Sequence, residues 1–446
     1  MDLSFYSIPV SDSIKNDKFI LYRPLIKLAF IGNKAMVDLA AQLLNHSELI
    51  VQRKNEEAVK FLDAINFFSP DIPPEKPEKE IDTAVLLLTN RCQLRCVYCY
   101  AAAGDSKPQI LKLNTAKAVL DAVSREALKH NFLEYILDFH GGGEPTLEWD
   151  LMNACIEYAR KKPIPVKISL TSNLLWTNKQ LEYIINNIDG LSVSMDGAPT
   201  TQNINRPYVS GAKSSTLVLK NLHKLDEKNY KYGIRLTSTE PWNNLSANIE
   251  FINKNTGCHL IQVEPAFQRS RGFLKKRVAI DWNKFSNAYV NAFEKARSLG
   301  INLHYSNTNP DLLATTFCDA PNRAIIVNPS DDIVACYEVV DSDHPLSDIS
   351  VIGKVVHGKV LINKSKKKQL ILLISERFDK CSHCFCKWTC AGGCYSRTFT
   401  NGENGHLKYG EYCSMVQEIT RYHLLDLIAR QNGVWKGIKQ KECKST

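Results

Sequence analysis

Hydrophobic and polar positions change rhythm three times along the chain. Residues 18–33, KFILYRPLIKLAFIGN, read as extended. In 34–45, KAMVDLAAQLLN, the apolar positions recur at helical spacing and predict an amphipathic helix, and a second helix is predicted over about 55–67. The following SPDIPPEKPEKE (69–80) sets four prolines among alternating charges and predicts a semi-rigid linker. From residue 81 to about 300, short apolar runs alternate with helix-length segments. Strands are predicted at 83–89, 133–139, 166–172, 191–196, 232–238 and 259–265, with helices at 114–130 and 150–162 between them. Such alternation predicts a parallel sheet covered by helices. Six units build part of a β/α barrel or a doubly wound sheet, and in both the functional residues gather at the C-terminal strand ends. Beyond Cys318 the alternation stops. Residues 318–413 carry eight cysteines among turn residues, which predicts a small domain held by metal rather than by an apolar core. A last helix is predicted over 415–431. The expected fold is α/β: an N-terminal α+β domain (1–68), a linker (69–80), a partial barrel (81–305) and a cysteine-rich C-terminal domain (306–446).

Composition removes several alternatives. At 44% hydrophobic and 23% charged residues, the 446-residue chain is expected to be globular rather than disordered. No apolar run approaches the roughly 18 residues of a membrane span, and the start, MDLSFYSIPVSDS, lacks the basic-then-apolar pattern of a signal peptide. A cytoplasmic protein without a membrane partner is expected. The net charge of +9 bunches at Arg269, Arg271, Lys275, Lys276 and Arg277, and again at Lys364, Lys366, Lys367 and Lys368. Neither group has an aromatic platform or recognised motif beside it, so both read as solvated loops and nucleic acid is not an expected partner.

The 14 cysteines change the picture more. Without an export signal, and grouped at metal-ligand spacings, they read as reduced thiols holding metal rather than as disulfides. Directly after the first barrel strand stands Cys92-x3-Cys96-x2-Cys99. A [4Fe–4S] cube wants a ligand on each iron, so three close thiolates leave one iron open for a substrate or cofactor. Zinc is the alternative, though three thiolates with an open position suit it less well.

These residues resemble the signature of the radical S-adenosylmethionine (SAM) enzymes, C-x3-C-x2-C with an aromatic before the last cysteine, here Tyr98. The resemblance implies a partial barrel in which SAM chelates the open iron and is cleaved to a 5′-deoxyadenosyl radical that abstracts hydrogen from an unactivated carbon. FHGGGEPTL (139–147) resembles the family's GGEP motif, putting Gly142, Gly143 and Glu144 at the SAM ammonium. LTSN (170–173) resembles the ribose-contacting segment, carried by Ser172 and Asn173. VSMDGAP (193–199) resembles the strand-end SLDG segment, with Ser194 and Asp196 as contacts, and Arg206 matches the arginine that commonly meets the SAM carboxylate. Singly these strings are weak; in order on successive strand ends they support one another.

The C-terminal cysteines resemble the SPASM domain, which holds two auxiliary [4Fe–4S] clusters in peptide- and protein-modifying radical enzymes. Carried over, Cys381, Cys384, Cys390 and Cys413 bind one auxiliary cluster and Cys318, Cys336 and Cys394 the other, for three clusters in all. Cys386 is the spare candidate for the incomplete set; otherwise one iron there stays open to a substrate thiolate. Cys155, Cys258 and Cys443 read as plain small residues. The chain departs from the family pattern in two places. Asp331 stands where a glycine is usual, and Tyr337, with Glu338 next, stands where some members carry an acidic general base. The resemblance implies a ribosomal precursor peptide as substrate, whose leader residues 1–68 would bind by strand addition, and a flavodoxin- or ferredoxin-like electron donor. A sulfatase-type, formylglycine-forming maturase and a non-catalytic zinc-stabilised leader-binding scaffold are the alternatives.

Overall fold

The structure is a computed structural model that describes residues 5–10, 17–74, 80–267, 271, 281–306, 308–399 and 410–437. Arg269, Lys275, Lys276, Arg277, Cys443 and residues 75–79 of the linker lie outside them.

The N-terminal segment forms an antiparallel sheet of β1 (Tyr6–Pro9), β2 (Lys18–Arg23) and β3 (Leu28–Asn33). The extended stretch 18–33 is thus a hairpin rather than one strand. Pro24 cannot donate to a ladder, and the chain turns through Pro24–Ile26 with Lys27 left-handed at φ 51°. Asn33 then caps the helix Lys34–Asn45, its side chain accepting the Met36 N–H. Val37, Ala40 and Leu43 of that helix pack with Leu62 and Phe67 in a core of their own.

The main sheet begins with β4 (Thr83–Leu86), β5 (Tyr135–Phe139), β6 (Val166–Ser172), β7 (Gly190–Ser194), β8 (Gly233–Ser238), β9 (Leu260–Pro265) and β10 (Asn302–His304). Each is parallel to the one before it, in chain order. A doubly wound sheet reverses its strand order at a switch point; this one does not, which decides for the barrel. Six strands match the hydrophobic pattern; β10, three residues with a polar pair at its ends, does not.

The sheet continues past β4 on the other side. β11 (Ala324–Val327) pairs parallel to β4, and β12 (Asp332–Val334), β13 (Val351–Val356) and β14 (Lys359–Ile362) extend it as an antiparallel meander. The cysteine-rich region therefore starts as an extension of the barrel sheet. After the helix Gly410–Arg430, β15 (Val434–Lys436) pairs with β3 and completes the N-terminal sheet, with Trp435 buried against Tyr22. Along β8, Ile234, Leu236 and Ser238 are buried under the helices, whereas Gly233, Arg235 and Thr237 line the interior of the barrel. Among the described residues, no helix is long and apolar enough to cross a membrane.

Candidate active site

A cavity of about 860 Å³ occupies the barrel interior and runs up to the cysteine-rich region. Cys92, Cys96 and Cys99 line one wall. Their loop is braced by arginines: Arg95 donates to the carbonyls of Cys92 (2.8 Å) and Gly104 (2.7 Å), and Arg271 to those of Cys96 (2.9 Å) and Ala103 (2.8 Å). Both guanidiniums also pair with Asp105. Cys92 Sγ accepts from the Leu94 N–H at 3.4 Å and from Asn173 Nδ2 at 3.8 Å. Burial, then the Glu144 charge, pushes the Cys92 thiol up to about 12; burial pushes Cys96 up to about 11. Without a bound cation these sulfurs stay protonated at neutral pH. Three closely spaced thiols on one loop, two of them raised by burial and one already met by N–H donors, fit an Fe–S cluster. Among the described residues no group of three His, Cys, Asp or Glu side chains is arranged to hold a single metal ion.

Gly143 and Glu144 reach this wall because their amides pair with the Thr89 and Arg91 carbonyls, both at 2.8 Å. A Cβ on Gly143 would overlap the Arg91 carbonyl oxygen, and one on Gly142 would overlap Val340. The Glu144 carboxylate is buried and accepts from Ser172 Oγ (2.6 Å), Thr146 Oγ1 (2.7 Å) and the Asn173 N–H (2.9 Å). Burial raises its pKa and those bonds hold it back. Ser172 in turn accepts from Trp176 Nε1 at 2.8 Å. Gly142, Ser194, Arg206 and Tyr98 line the same cavity. Asp196 stands behind it, fully buried. It pairs with Arg206 at 3.0 Å and accepts from the Tyr98 hydroxyl, from Asn205 Nδ2 at 3.2 Å and from the Thr237 N–H at 3.1 Å. Expected from the sequence as a contact, Asp196 instead positions Arg206 and Tyr98.

The facing wall carries Cys318, Cys336 and Cys394 with Tyr337 and Glu338. Glu338 is ion-paired with Arg397, whose guanidinium lies 4.4 Å over the Phe267 ring. The Tyr337 ring meets His140 at 4.6 Å. Burial, then the Arg235 charge, lowers the His140 pKa to about 3, so the imidazole is neutral at physiological pH. Cys381, Cys384, Cys390 and Cys413 form a separate group, electrostatically coupled to one another and outside the cavity. Cys386 belongs with that group: it hydrogen-bonds Cys384, which lowers the Cys384 pKa to about 6, and it lies outside the cavity that Cys318, Cys336 and Cys394 line. It does not stand beside the three-thiol set. Asp331 adopts φ 66°, the backbone conformation that favours glycine, and its carboxylate accepts from Lys112 (2.6 Å) and Thr115 (2.7 Å). The departure from the family's glycine thus preserves the turn. Cys155 and Cys258 are buried in the apolar core.

Sequence reasoning missed Asp138, His140, Arg235, Glu264 and Arg397, which all line the cavity. The first four sit on or just past strands, and alternation alone does not say whether a polar strand face meets water or a barrel interior.

The sequence pattern of the Radical SAM superfamily matches residues 86–251. An uncharacterized protein of Methanocaldococcus jannaschii is 29% identical over 35% of this chain and 52% of its own length. The Fe-coproporphyrin III synthase of Methanosarcina barkeri is 32% identical over 34% of this chain and 35% of its own. The chain thus spans about half of one curated relative and a third of the other. Among solved structures, native anSMEcpe with bound AdoMet superposes with a TM-score of 0.64 at 18% identity, over 78% of this chain and 99% of that one. SuiB of Streptococcus suis bound to S-adenosylmethionine gives 0.53 at 15% identity, over 92% and 98%. Cysteine spacing, strand order and the family match agree over the barrel: residues 86–251, which include Cys92, Cys96 and Cys99, match the Radical SAM superfamily.

Proposed function

We propose that the chain is a radical SAM maturase that modifies a ribosomally made precursor peptide, forming a thioether or a carbon–carbon or carbon–oxygen crosslink. The carrying observation is that one cavity is lined on one wall by Cys92, Cys96 and Cys99 and on the other by Cys318, Cys336 and Cys394. A substrate held there lies between two thiol sets. The fold likeness adds support: SuiB has been solved with its precursor peptide SuiA, and that likeness extends over 92% of this chain against 78% for anSMEcpe.

Cys92, Cys96 and Cys99 would hold a cluster that, with SAM bound, would supply the radical chemistry for hydrogen abstraction. The chain's residues do the rest. Glu144 presents its carboxylate to the SAM ammonium, Arg206, held by Asp196, meets the carboxylate, and Ser172 and Asn173 face the ribose. Gly142 and Gly143 keep the backbone close enough for this. Glu338, fixed by Arg397 at the opposite wall, is the carboxylate placed to accept a proton from the substrate, with Tyr337 beside it. Auxiliary clusters on Cys318, Cys336 and Cys394 and on Cys381, Cys384, Cys390 and Cys413 would bring the total to three. The small sheet and helices of the N-terminal segment would take a leader as an added strand. Among the described strands of that sheet the outer edges are those of β1 and β15, and β1 offers the longer one. A flavodoxin- or ferredoxin-like protein would deliver the electron. The higher TM-score of anSMEcpe favours a formylglycine-forming maturase as the second reading.

The test is iron and acid-labile sulfide per chain on anaerobically reconstituted protein, with 5′-deoxyadenosine release measured without peptide. About twelve irons, falling to about eight in the Cys92→Ala/Cys96→Ala/Cys99→Ala variant with loss of SAM cleavage, is expected. Zinc with little sulfide, or cleavage that survives the triple substitution, overturns the reading.

A further inference from the structure

We infer that the barrel interior holds an anion subsite centred on Arg235, which takes a carboxylate of the substrate. The inference rests on reading the cavity as a substrate chamber, and it adds a chemical requirement on what enters.

The argument begins with strand alternation. Residues of β8 at even positions are buried under the outer helices, which sends the Arg235 side chain into the cavity. That side chain is exposed to the cavity rather than buried in protein, so its charge is open to a ligand. The other charged groups facing the cavity are committed to protein partners. Arg206 has Asp196, Arg397 has Glu338, Glu144 has Ser172 and Asn173, Glu264 has Ser306 and Gln262, and Asp138 accepts from Ser169 at 2.8 Å. Among the described residues, the Arg235 guanidinium has neither a hydrogen-bond nor an ion-pair partner.

Its surroundings say which ligand it serves. The groups that sense its charge are Asp138, His140, His304 and Tyr337. Tyr337 also senses Cys318 and Cys336, while Cys92 and Cys96 respond to Glu144 and Arg206 instead. Arg235 thus acts on a different set of groups from Arg206, which is left for the SAM carboxylate. The His140 and Tyr337 rings, 4.6 Å apart, line the same cavity and offer hydrogen-bonding groups to a ligand there. A planar guanidinium matches a carboxylate in a two-point fork. A doubly charged phosphate would also have to face Asp138, so a monoanion suits the site better. Space is available too. Gly190 and Gly233 line the cavity, and a Cβ on either would meet its nearest neighbour at an ordinary 3.5 Å. Local packing does not demand glycine there, and the missing side chains leave the interior open beside Arg235.

The carboxylate could belong to an acidic side chain or to a peptide C-terminus, and three probes separate the sources. N-acetylglutamic acid α-amide offers the side-chain carboxylate, N-acetylglutamine the terminal one, and N-acetylglutamine amide neither. Each is titrated calorimetrically into reconstituted, SAM-loaded holoprotein. At least one acid is expected to bind about ten-fold more tightly than the neutral amide, and which one does so names the source. Arg235→Gln is expected to erase that preference while changing the Kd for SAM less than about two-fold. Asp138→Asn is expected to keep it. Equal binding of all three probes to the unaltered protein, a result that needs no variant to fold, overturns the proposal. So does a preference that survives Arg235→Gln. The titration requires no turnover, so its outcome stands apart from whether the protein proves to be a peptide maturase.

Discussion

The two walls of the cavity reach the same end, three thiols facing one space, by opposite routes. Cys92, Cys96 and Cys99 share one loop, whose backbone carbonyls are held by Arg95 from within it and by Arg271 from far along the chain. Cys318, Cys336 and Cys394 come from three separate segments, brought together by the extension of the barrel sheet through β11 and β12. A ligand set carried by one loop is a property of a short stretch of chain. A set assembled across segments exists only while the sheet and its attachments hold. The charges follow the same division, with Asp196–Arg206 behind the first wall and Glu338–Arg397 on the second.

The largest expected effect tests the first wall. Asp196→Ala leaves the Arg206 guanidinium buried without its partner, and unfolding measured in denaturant should show a loss of about 3–5 kcal/mol. SAM affinity should fall as well, because the arginine is no longer aimed. Arg397→Gln strikes the second wall and leaves Glu338 without its cation, at about 2–3 kcal/mol, with SAM affinity expected to stay near that of the unaltered protein. If the walls are as separate as the geometry implies, the double variant should be additive within about 0.5 kcal/mol; a large coupling energy would show that they act as one unit. Gly143→Ala forces a Cβ against the Arg91 carbonyl, and about 2 kcal/mol of destabilisation is expected from the thermal midpoint.

The smallest effect is a pH dependence. Burial lowers the His140 pKa from 6.5 to about 3, so between those values the unfolded chain binds a proton that the folded chain does not. Stability must then fall as pH drops below about 6.5, by about 1 kcal/mol at pH 5.5 from this group. Unfolding midpoints at pH 7.5 and 5.5, compared between the unaltered protein and His140→Gln, check the sign. The variant should show the shallower slope.

Legibility followed the range of the interactions involved. The barrel strands announced themselves because each is an apolar run bounded by helix-length segments. β10 and β15, three residues each, offered no pattern to find and exist only through pairing with β9 and β3. The Cys92-x3-Cys96-x2-Cys99 loop was legible because its ligands are neighbours in the chain. Cys386 was not. It lies in the same run as Cys384 and Cys390, and only packing shows that it sits with them rather than with Cys318, Cys336 and Cys394. Asp196 was legible as important but not in its role, since a fully buried carboxylate and a cavity contact look alike in a string of letters.

By itself the sequence determined the alternation of strand and helix, the loop with three closely spaced cysteines, and the small residues that let Glu144 approach it. These depend on neighbours within a few residues, where steric and hydrogen-bonding preferences act directly. Tertiary structure alone decided that the sheet curls without reversing, that its second face becomes the inside of a barrel, and that Arg235, Asp138 and Glu264 consequently share an interior with six cysteines. The physical reason is that a polar residue on a strand has the same local preferences facing water or facing a cavity. What distinguishes the two is the far side of the molecule.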